Sequence, residues 1–261
     1  MPLQKNEFVV MSSTLVGSRV ARLMSPLRGG QSLRRLRKNM LEVRNLGYLK
    51  QALGWTQDAN LDFEHLHRFD YYEDLNERRI RDAEVIGTAC ANNNPKTILE
   101  IGTCSGQTTA LMATNAPKAE VYTVNIPPEE ISDGGKFVTC AISRDDIGIA
   151  YRERGLTNVH QIYANTAHWE PDMGPIDVAF IDGCHDADFV YSDTKKILPH
   201  CRPGSIILWH DINLDLIRQY RWIAEAARGI ERLLAEKLIR GRILHLQDSW
   251  VGLYRVPEEN H

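Results

Sequence analysis

The chain has 261 residues, 43% hydrophobic and 25% charged, which is enough to bury the core of one large α/β domain and an appendage. No window approaches the ~18 consecutive apolar residues of a membrane span, and Met1 to Glu7 lack the apolar run of a signal peptide, so no membrane span and a cytoplasmic location are expected. The net charge of −3 hides an asymmetry, since residues 1–50 hold 10 Lys/Arg against 2 Asp/Glu while the remainder holds 21 against 32.

Residues 1–70 read as a basic helical arm or cap. Arg34, Arg35, Arg37 and Lys38 precede Leu41, Val43, Leu46, Leu49 and Leu53, an irregular amphipathic pattern rather than a domain core. Such an arm suits an anionic partner or the acidic body of the same or a neighbouring subunit, which makes it a candidate homo-oligomer contact. It has no aromatic interleaving and no recognition motif, so nucleic acid is not expected. His65 and His67 are either part of a substrate lid or surface and interface residues.

Residues 71–261 read as a second domain of alternating helices and strands. A helix with Ile80, Ala83, Ile86 and Cys90 stops at Asn92-Asn93-Asn94-Pro95, and the apolar run Thr97–Ile101 follows. Further runs at Val121–Val124, Val159–Tyr163, Ile176–Ile181 and Ser205–Trp209 are each spaced for a helical crossover, which implies a parallel sheet covered on both faces. A helix striped with Leu216, Ile217, Tyr220, Ile223, Ala227, Ile230 and Leu234 leads to Arg242–Leu246 and then Trp250–Tyr254. The connection between these last two strands is so short that they must be antiparallel. Five cysteines, at 90, 104, 140, 184 and 201, form no CxxC pair. They read as buried small hydrophobes in a reducing compartment, without a disulfide framework or a thiolate zinc site.

The first site signal is Ile98-Leu99-Glu100-Ile101-Gly102-Thr103-Cys104-Ser105-Gly106-Gln107-Thr108-Thr109, a strand, a glycine-bearing turn and a helix. In open α/β sheets ligands bind at such strand ends, near the point where strand order reverses. A dinucleotide fingerprint would place glycine at 104 as well. Two later strand ends bring Asp182, His210 and Asp211 to the same sheet edge, where oxygen ligands suit Mg²⁺ and the added imidazole tolerates Mn²⁺ or Fe²⁺.

These stretches resemble a known family. The glycine turn is similar to the EIGTxxGxTT form of methyltransferase motif I. Ile181-Asp182-Gly183-Cys184-His185 resembles FIDGxH, and Arg202-Pro203-Gly204 through His210-Asp211 resembles PGGxIxxHD, both of methyltransferase family 24. The resemblance covers about residues 76–256. It implies a Rossmann-like, doubly wound, mostly parallel seven-stranded sheet with an antiparallel C-terminal hairpin strand and an N-terminal helical cap. It further implies S-adenosylmethionine bound by Glu100, Gly102, Thr103, Ser105, Gly106, Asn125, Asn165, Thr166 and Asp182. Asn125 stands where the family has an acid for the ribose, and restoring that acid is expected to tighten binding. Trp169 either flanks the adenine or packs on a helix. Gly102 is expected against the cofactor, so that Gly102→Val blocks the ligand and leaves the fold intact.

In metal-dependent members that share FIDGxH, the matching residues imply Asp182, His210 and Asp211 as ligands for Mg²⁺ or Mn²⁺ and His185 as general base. His210 departs from the acid those members carry. The implied reaction is O-methylation of a small hydroxyl-bearing metabolite such as a sugar or phenol. A nicotinamide-dependent oxidoreductase and a non-catalytic cofactor-binding protein are the rival readings. Cys104 and the antiparallel hairpin count against the first, and the departures at 104, 125 and 165 motivate the second.

Overall fold

The computed structural model describes residues 33–61, 73–138 and 140–258. Two stretches singled out above, residues 1–32 of the basic arm and the His65/His67 segment, lie outside the described residues.

The strands are β1 (Met40–Val43), β2 (Thr97–Ile101), β3 (Glu120–Asn125), β4 (Val159–Tyr163), β5 (Ile176–Ile181), β6 (Cys201–Trp209), β7 (Ile243–Leu246) and β8 (Gly252–Arg255). They form one sheet in the order β1-β7-β8-β6-β5-β2-β3-β4. Only β8 runs against the others: it pairs antiparallel with both β6 and β7, as the short connection after Leu246 requires. The sheet has eight strands, one more than expected. The addition is β1, which pairs in parallel with β7 from Met40↔Ile243 to Val43↔Leu246.

The core strands are apolar on both sides because both sides are covered. Successive residues of β5 and β6 alternate between two cores: Val178, Phe180, Ile206 and Leu208 enter one, and Ala179, Ile181, Ile207 and Trp209 the other, as the two-residue strand period demands. The first core is roofed by α2 (Leu46–Leu53), α3 (Glu73–Asn92) and α4 (Gln107–Asn115), through Leu49, Ile86, Leu111 and Met112, with the short α5 (Ile149–Glu153) against α4. The second is roofed by α1 (Arg34–Asn39), α6 (Ala187–Ile197) and α7 (Arg221–Ala235), through Leu36, Val190, Ile230 and Leu233. Each such fully buried aliphatic side chain is worth about 1.5–3 kcal/mol relative to exposure.

The α7 stripe is predicted correctly from Ile223 on, but the helix begins at Arg221 and leaves Leu216 and Ile217 in the preceding turn. The stretch 33–61 also departs from the expected cap. Leu36 and Leu49 are almost completely buried, and the Glu231 carboxylate of α7 accepts the Arg35 and Leu36 backbone N–H groups at 3.2 and 2.7 Å. An anion at the first turn satisfies N–H groups that a helix start leaves open, so this segment is docked into the sheet's own core.

The chain leaves β2 toward β3 and β4 on one side and returns through β5 on the other. The order therefore reverses between β2 and β5, and the carboxyl ends of these strands border the crevice in which open α/β sheets take ligands.

Candidate active site

The turn after β2 is made by the backbone. Gly102 (φ 106°), Cys104 (φ 47°) and Gly106 (φ 81°) are all left-handed, and Gly106 caps α4. Gly102 donates its N–H to Val124 O at 2.8 Å, and Asp182 donates to Ile101 O at 2.8 Å, so the ends of β3, β2 and β5 are tied together. A Cβ on Gly102 would lie 2.1 Å from the Asp182 carbonyl oxygen. That corrects the expectation for Gly102→Val: the position is glycine because the β5 backbone passes there, and a side chain would break the fold before it met a ligand. Gly102, Cys104 and Ser105 are half-buried and form the outward edge of the turn, while Thr103 and Gly106 are buried.

Glu100 lies beneath this turn. It is fully buried and accepts hydrogen bonds from Thr123 Oγ1 at 2.5 Å and from Thr109 Oγ1. Burial raises its pKa to about 8 against the pull of these hydroxyls, so it is a neutral acid bracing β2, β3 and α4. Thr103 joins the same layer through Thr123 Oγ1 (2.6 Å) and Gln161 Nε2 (3.0 Å).

Asn125, at the end of β3, closes the turn from the side. Its Oδ1 accepts the Cys104 N–H at 3.0 Å and its Nδ2 donates to Ile126 O at 2.8 Å. Asn165 does similar work after β4, accepting the Ala167 N–H at 3.0 Å. The Thr166 and Trp169 carbonyls accept from Lys196 Nζ at 2.5 and 2.8 Å, and Trp169 packs on the second core.

A disulfide links Cys104 to Cys140, correcting the expectation that all five cysteines are free. The partners are 36 residues apart, with no motif between them; the fold alone brings the loop after β3 to the turn after β2. Cys90 and Cys184 are free and buried, and Cys201 is free and half-buried, as expected of small hydrophobes.

The ends of β5 and β6 carry charge instead. His210 Nδ1 lies 3.1 Å from Asp182 Oδ1 and 3.6 Å from Asp211 Oδ1. His185 Nε2 lies 3.3 Å from Asp182 Oδ1 and 3.0 Å from Asp211 Oδ2, and the Phe137 carbonyl stands 3.2 Å from its Nδ1. The structure thus brings together all four residues proposed from sequence. Asp211 reaches the cluster from a left-handed backbone, φ 57°, a conformation that costs on the order of 1 kcal/mol or more and marks a position held by its surroundings.

Burial by itself would lower the pKa of both imidazoles, yet the adjacent carboxylates prevail. Asp211 and Asp182 raise His185 to about 10, and Asp182 and Asp211 raise His210 well above its ordinary value. Burial would likewise raise Asp182, but His210 and His185 hold it well below the usual carboxylate range. Without a ligand the cluster is a set of imidazolium–carboxylate pairs. In depth it has two layers: the Asp182 and His210 side chains are 26% and 23% exposed, His185 and Asp211 only 6% and 5%.

Two members escaped the sequence reading. Asp82 of α3 places Oδ2 3.2 Å from His210 Nε2 and accepts the Trp250 backbone N–H through Oδ1 at 2.6 Å. Arg79, one turn earlier, feels both Asp82 and Asp182, although burial lowers its pKa. In the sequence they sit in Arg78-Arg79-Ile80-Arg81-Asp82, which looks like a solvated helix face.

The donor set also fits a divalent cation. Asp182, His185 and His210 each offer a ligand atom within 4.8 Å of the others. His210 Nδ1 is buried and, although 3.1 Å from Asp182 Oδ1, has no aligned hydrogen-bond partner among the described residues, which leaves it open to a ligand.

No curated protein sequence matches the chain. The structure is similar to that of the O-methyltransferase NovP, with 14% identity over 68% of this chain and 80% of that one, TM-score 0.53. It is also similar to the SAH-bound methyltransferase PaMTH1 of Podospora anserina, with 20% identity over 81% and 95%, TM-score 0.51. At these identities the likeness carries the fold. Residues 99–212 match the family described as Methyltransferase domain, number 24, and that span runs from the glycine turn through both charged strand ends. Residues 99–212 are thus similar to the methyltransferase domain of family 24, and the fold around them is like that of NovP and PaMTH1.

Proposed function

We propose that this protein is a methyltransferase acting on a hydroxyl oxygen of a small molecule such as a sugar or phenol. The observation that carries the reading is the cluster of Asp182, His185, His210 and Asp211, set beside the glycine turn through the contact of Gly102 with Asp182. Transfer from a sulfonium is an in-line displacement, so the protein must hold the acceptor oxygen at attack distance and take its proton. In this reading the outward edge of the turn, Gly102 and Ser105, takes the methionine end of the cofactor. Asn125, Asn165 and Thr166 shape the ribose and adenine side from the ends of β3 and β4.

The acceptor hydroxyl meets Asp182 and His210, the exposed layer, and its proton passes through Asp182 to His185 behind it. The groups are close enough to titrate as a unit. His185 holds a proton up to a pH of about 10, so the proton-accepting form of the metal-free cluster grows as pH rises toward that value.

Asp182, His185 and His210 would hold a divalent ion in a metal-bound form, in which His185 no longer takes the proton; the resemblance instead implies Asp182, His210 and Asp211 as ligands, with His185 as the base. Two imidazoles and a carboxylate favour Mn²⁺ over Mg²⁺. Such an ion, when bound, lowers the pKa of the acceptor hydroxyl.

The test is S-adenosylhomocysteine release with sugars and phenols against amines and thiols, each with EDTA and with added Mn²⁺, followed by location of the methyl group in the product. O-methyl product, faster with Mn²⁺ than with EDTA, is expected. Methyl on nitrogen or sulfur alone would overturn the oxygen assignment, and equal rates in EDTA would remove the ion.

A further inference from the structure

The geometry points to Asp82 as a positioning residue that fixes the tautomer of His210, keeping Nε2–H toward α3 and the Nδ1 lone pair toward Asp182 and His185. This rests on the reading of that cluster as a cation site. Asp82 belongs to α3 and meets His210 at Nε2, the other ring nitrogen from the one that faces Asp182.

Its two oxygens have different partners, and both partners are donors. Oδ1 accepts the backbone N–H of Trp250 at 2.6 Å, and a backbone amide can only donate. Oδ2 stands 3.2 Å from His210 Nε2. This nitrogen is aligned to donate to the carboxylate, whereas Nδ1, although 3.1 Å from Asp182 Oδ1, has no aligned hydrogen-bond partner among the described residues. A neutral imidazole has one N–H, so a ring that gives Nδ1 to a cation keeps its hydrogen on Nε2, where Asp82 accepts the bond. Nδ1 is then a bare lone pair, 3.1 Å from Asp182 Oδ1 and 3.6 Å from Asp211 Oδ1. A carboxylate behind a metal-binding imidazole orients the ring in this way, and its loss typically costs 10–100-fold in metal affinity. Trp250 adds rigidity: its ring centroid lies 6.3 Å from that of His210, and Arg78 lies over its face at 3.8 Å.

Asp82→Asn separates this role from support of the fold. The amide has one acceptor and one donor end. The acceptor must stay with the Trp250 N–H, so the NH₂ turns to His210 Nε2. That nitrogen must then accept, the ring hydrogen moves to Nδ1, and the lone pair leaves the cluster. Asp82→Ala removes more structure but lets His210 choose either tautomer. Positioning therefore ranks the variants opposite to a purely structural role, with Asn worse than Ala.

Mn²⁺ binding to the three full-length proteins, read by electron paramagnetic resonance of the free ion, is expected to weaken roughly 10–100-fold in Asp82→Asn and less in Asp82→Ala. S-adenosylhomocysteine affinity should stay unchanged in both. Imidazole ¹⁵N shifts, recorded without metal at a pH high enough to neutralise the ring, are expected to show His210 Nε2 protonated in the wild type and unprotonated in Asp82→Asn. Equal Mn²⁺ affinity in Asp82→Asn, a larger loss in Asp82→Ala, or an unprotonated Nε2 in the wild type would overturn the inference. If the wild type binds no Mn²⁺ while the ¹⁵N shifts are as expected, the cation reading falls and the tautomer assignment stands.

Discussion

The β2–β3 end of the sheet's carboxyl edge and the β5–β6 end lie side by side but are made of different materials. The first is backbone, amides and hydroxyls. Its polar side chains are turned onto the protein, Asn125 onto Cys104 and Ile126, Asn165 onto Ala167, and its one acid, Glu100, is buried and neutral up to about pH 8. The second is three carboxylates, two imidazoles and Arg79 compensating one another. A cofactor that is only held needs a shape, and glycine with left-handed turns supplies shape cheaply. A proton that must move needs groups able to change charge, and these can be buried only in pairs.

The sharpest way to break this contrast is Gly102→Val. With a Cβ 2.1 Å from the Asp182 backbone oxygen and φ at 106°, the substitution should cost about 3 kcal/mol or more, seen as a lowered urea midpoint or loss of soluble protein. A wild-type midpoint with lost S-adenosylhomocysteine binding would mean that the turn is shaped by its ligand after all.

His185→Ala should lower turnover by roughly 10²–10⁴ with S-adenosylhomocysteine affinity unchanged by calorimetry. The same variant carries a stability signature. The folded pKa is about 10 against an ordinary 6.5, so the ion pairs stabilise fully below about pH 6.5 and lose that contribution as pH climbs to 10. The wild type's advantage over His185→Ala in urea should shrink across that window. A constant gap would mean that His185 is not held as an imidazolium.

Glu100→Gln probes the one acid at the neutral end. The native state keeps a proton up to about pH 8, whereas the ordinary value is 4.5, so wild-type stability falls as pH rises between these values. The glutamine variant should lack this slope in urea titrations at pH 5 and pH 8. An unchanged slope would place its origin elsewhere.

The smallest effect expected is for Asn125→Asp. The acid keeps the Cys104 N–H but sets a carboxylate oxygen against Ile126 O where Nδ2 now donates. Cofactor binding should therefore weaken by on the order of 1 kcal/mol, the reverse of the expectation from the family's acid. Tighter binding by calorimetry would show that the amide turns to the ribose.

Sequence alone determined whatever depends on near neighbours. Apolar runs that feed both faces of a sheet located β2 through β6, the short link after Leu246 fixed the antiparallel hairpin, and two ordered motifs gathered Asp182, His185, His210 and Asp211. Tertiary structure decided what depends on residues far apart in the chain. Strand β1 buries only Val43, too little to show a period, and exists because β7 offers an edge. Cys104 meets Cys140 because β2 and β3 are neighbours in the sheet. Asp82 looks like one charge on a solvated helix of mixed charge until α3 crosses His210, and Gly102 looks like room for a ligand until the β5 backbone fills it. Spacing records periodicity and short links; it holds no record of which distant backbone will pass a given atom, and that passage sets the direction of each side chain in this site.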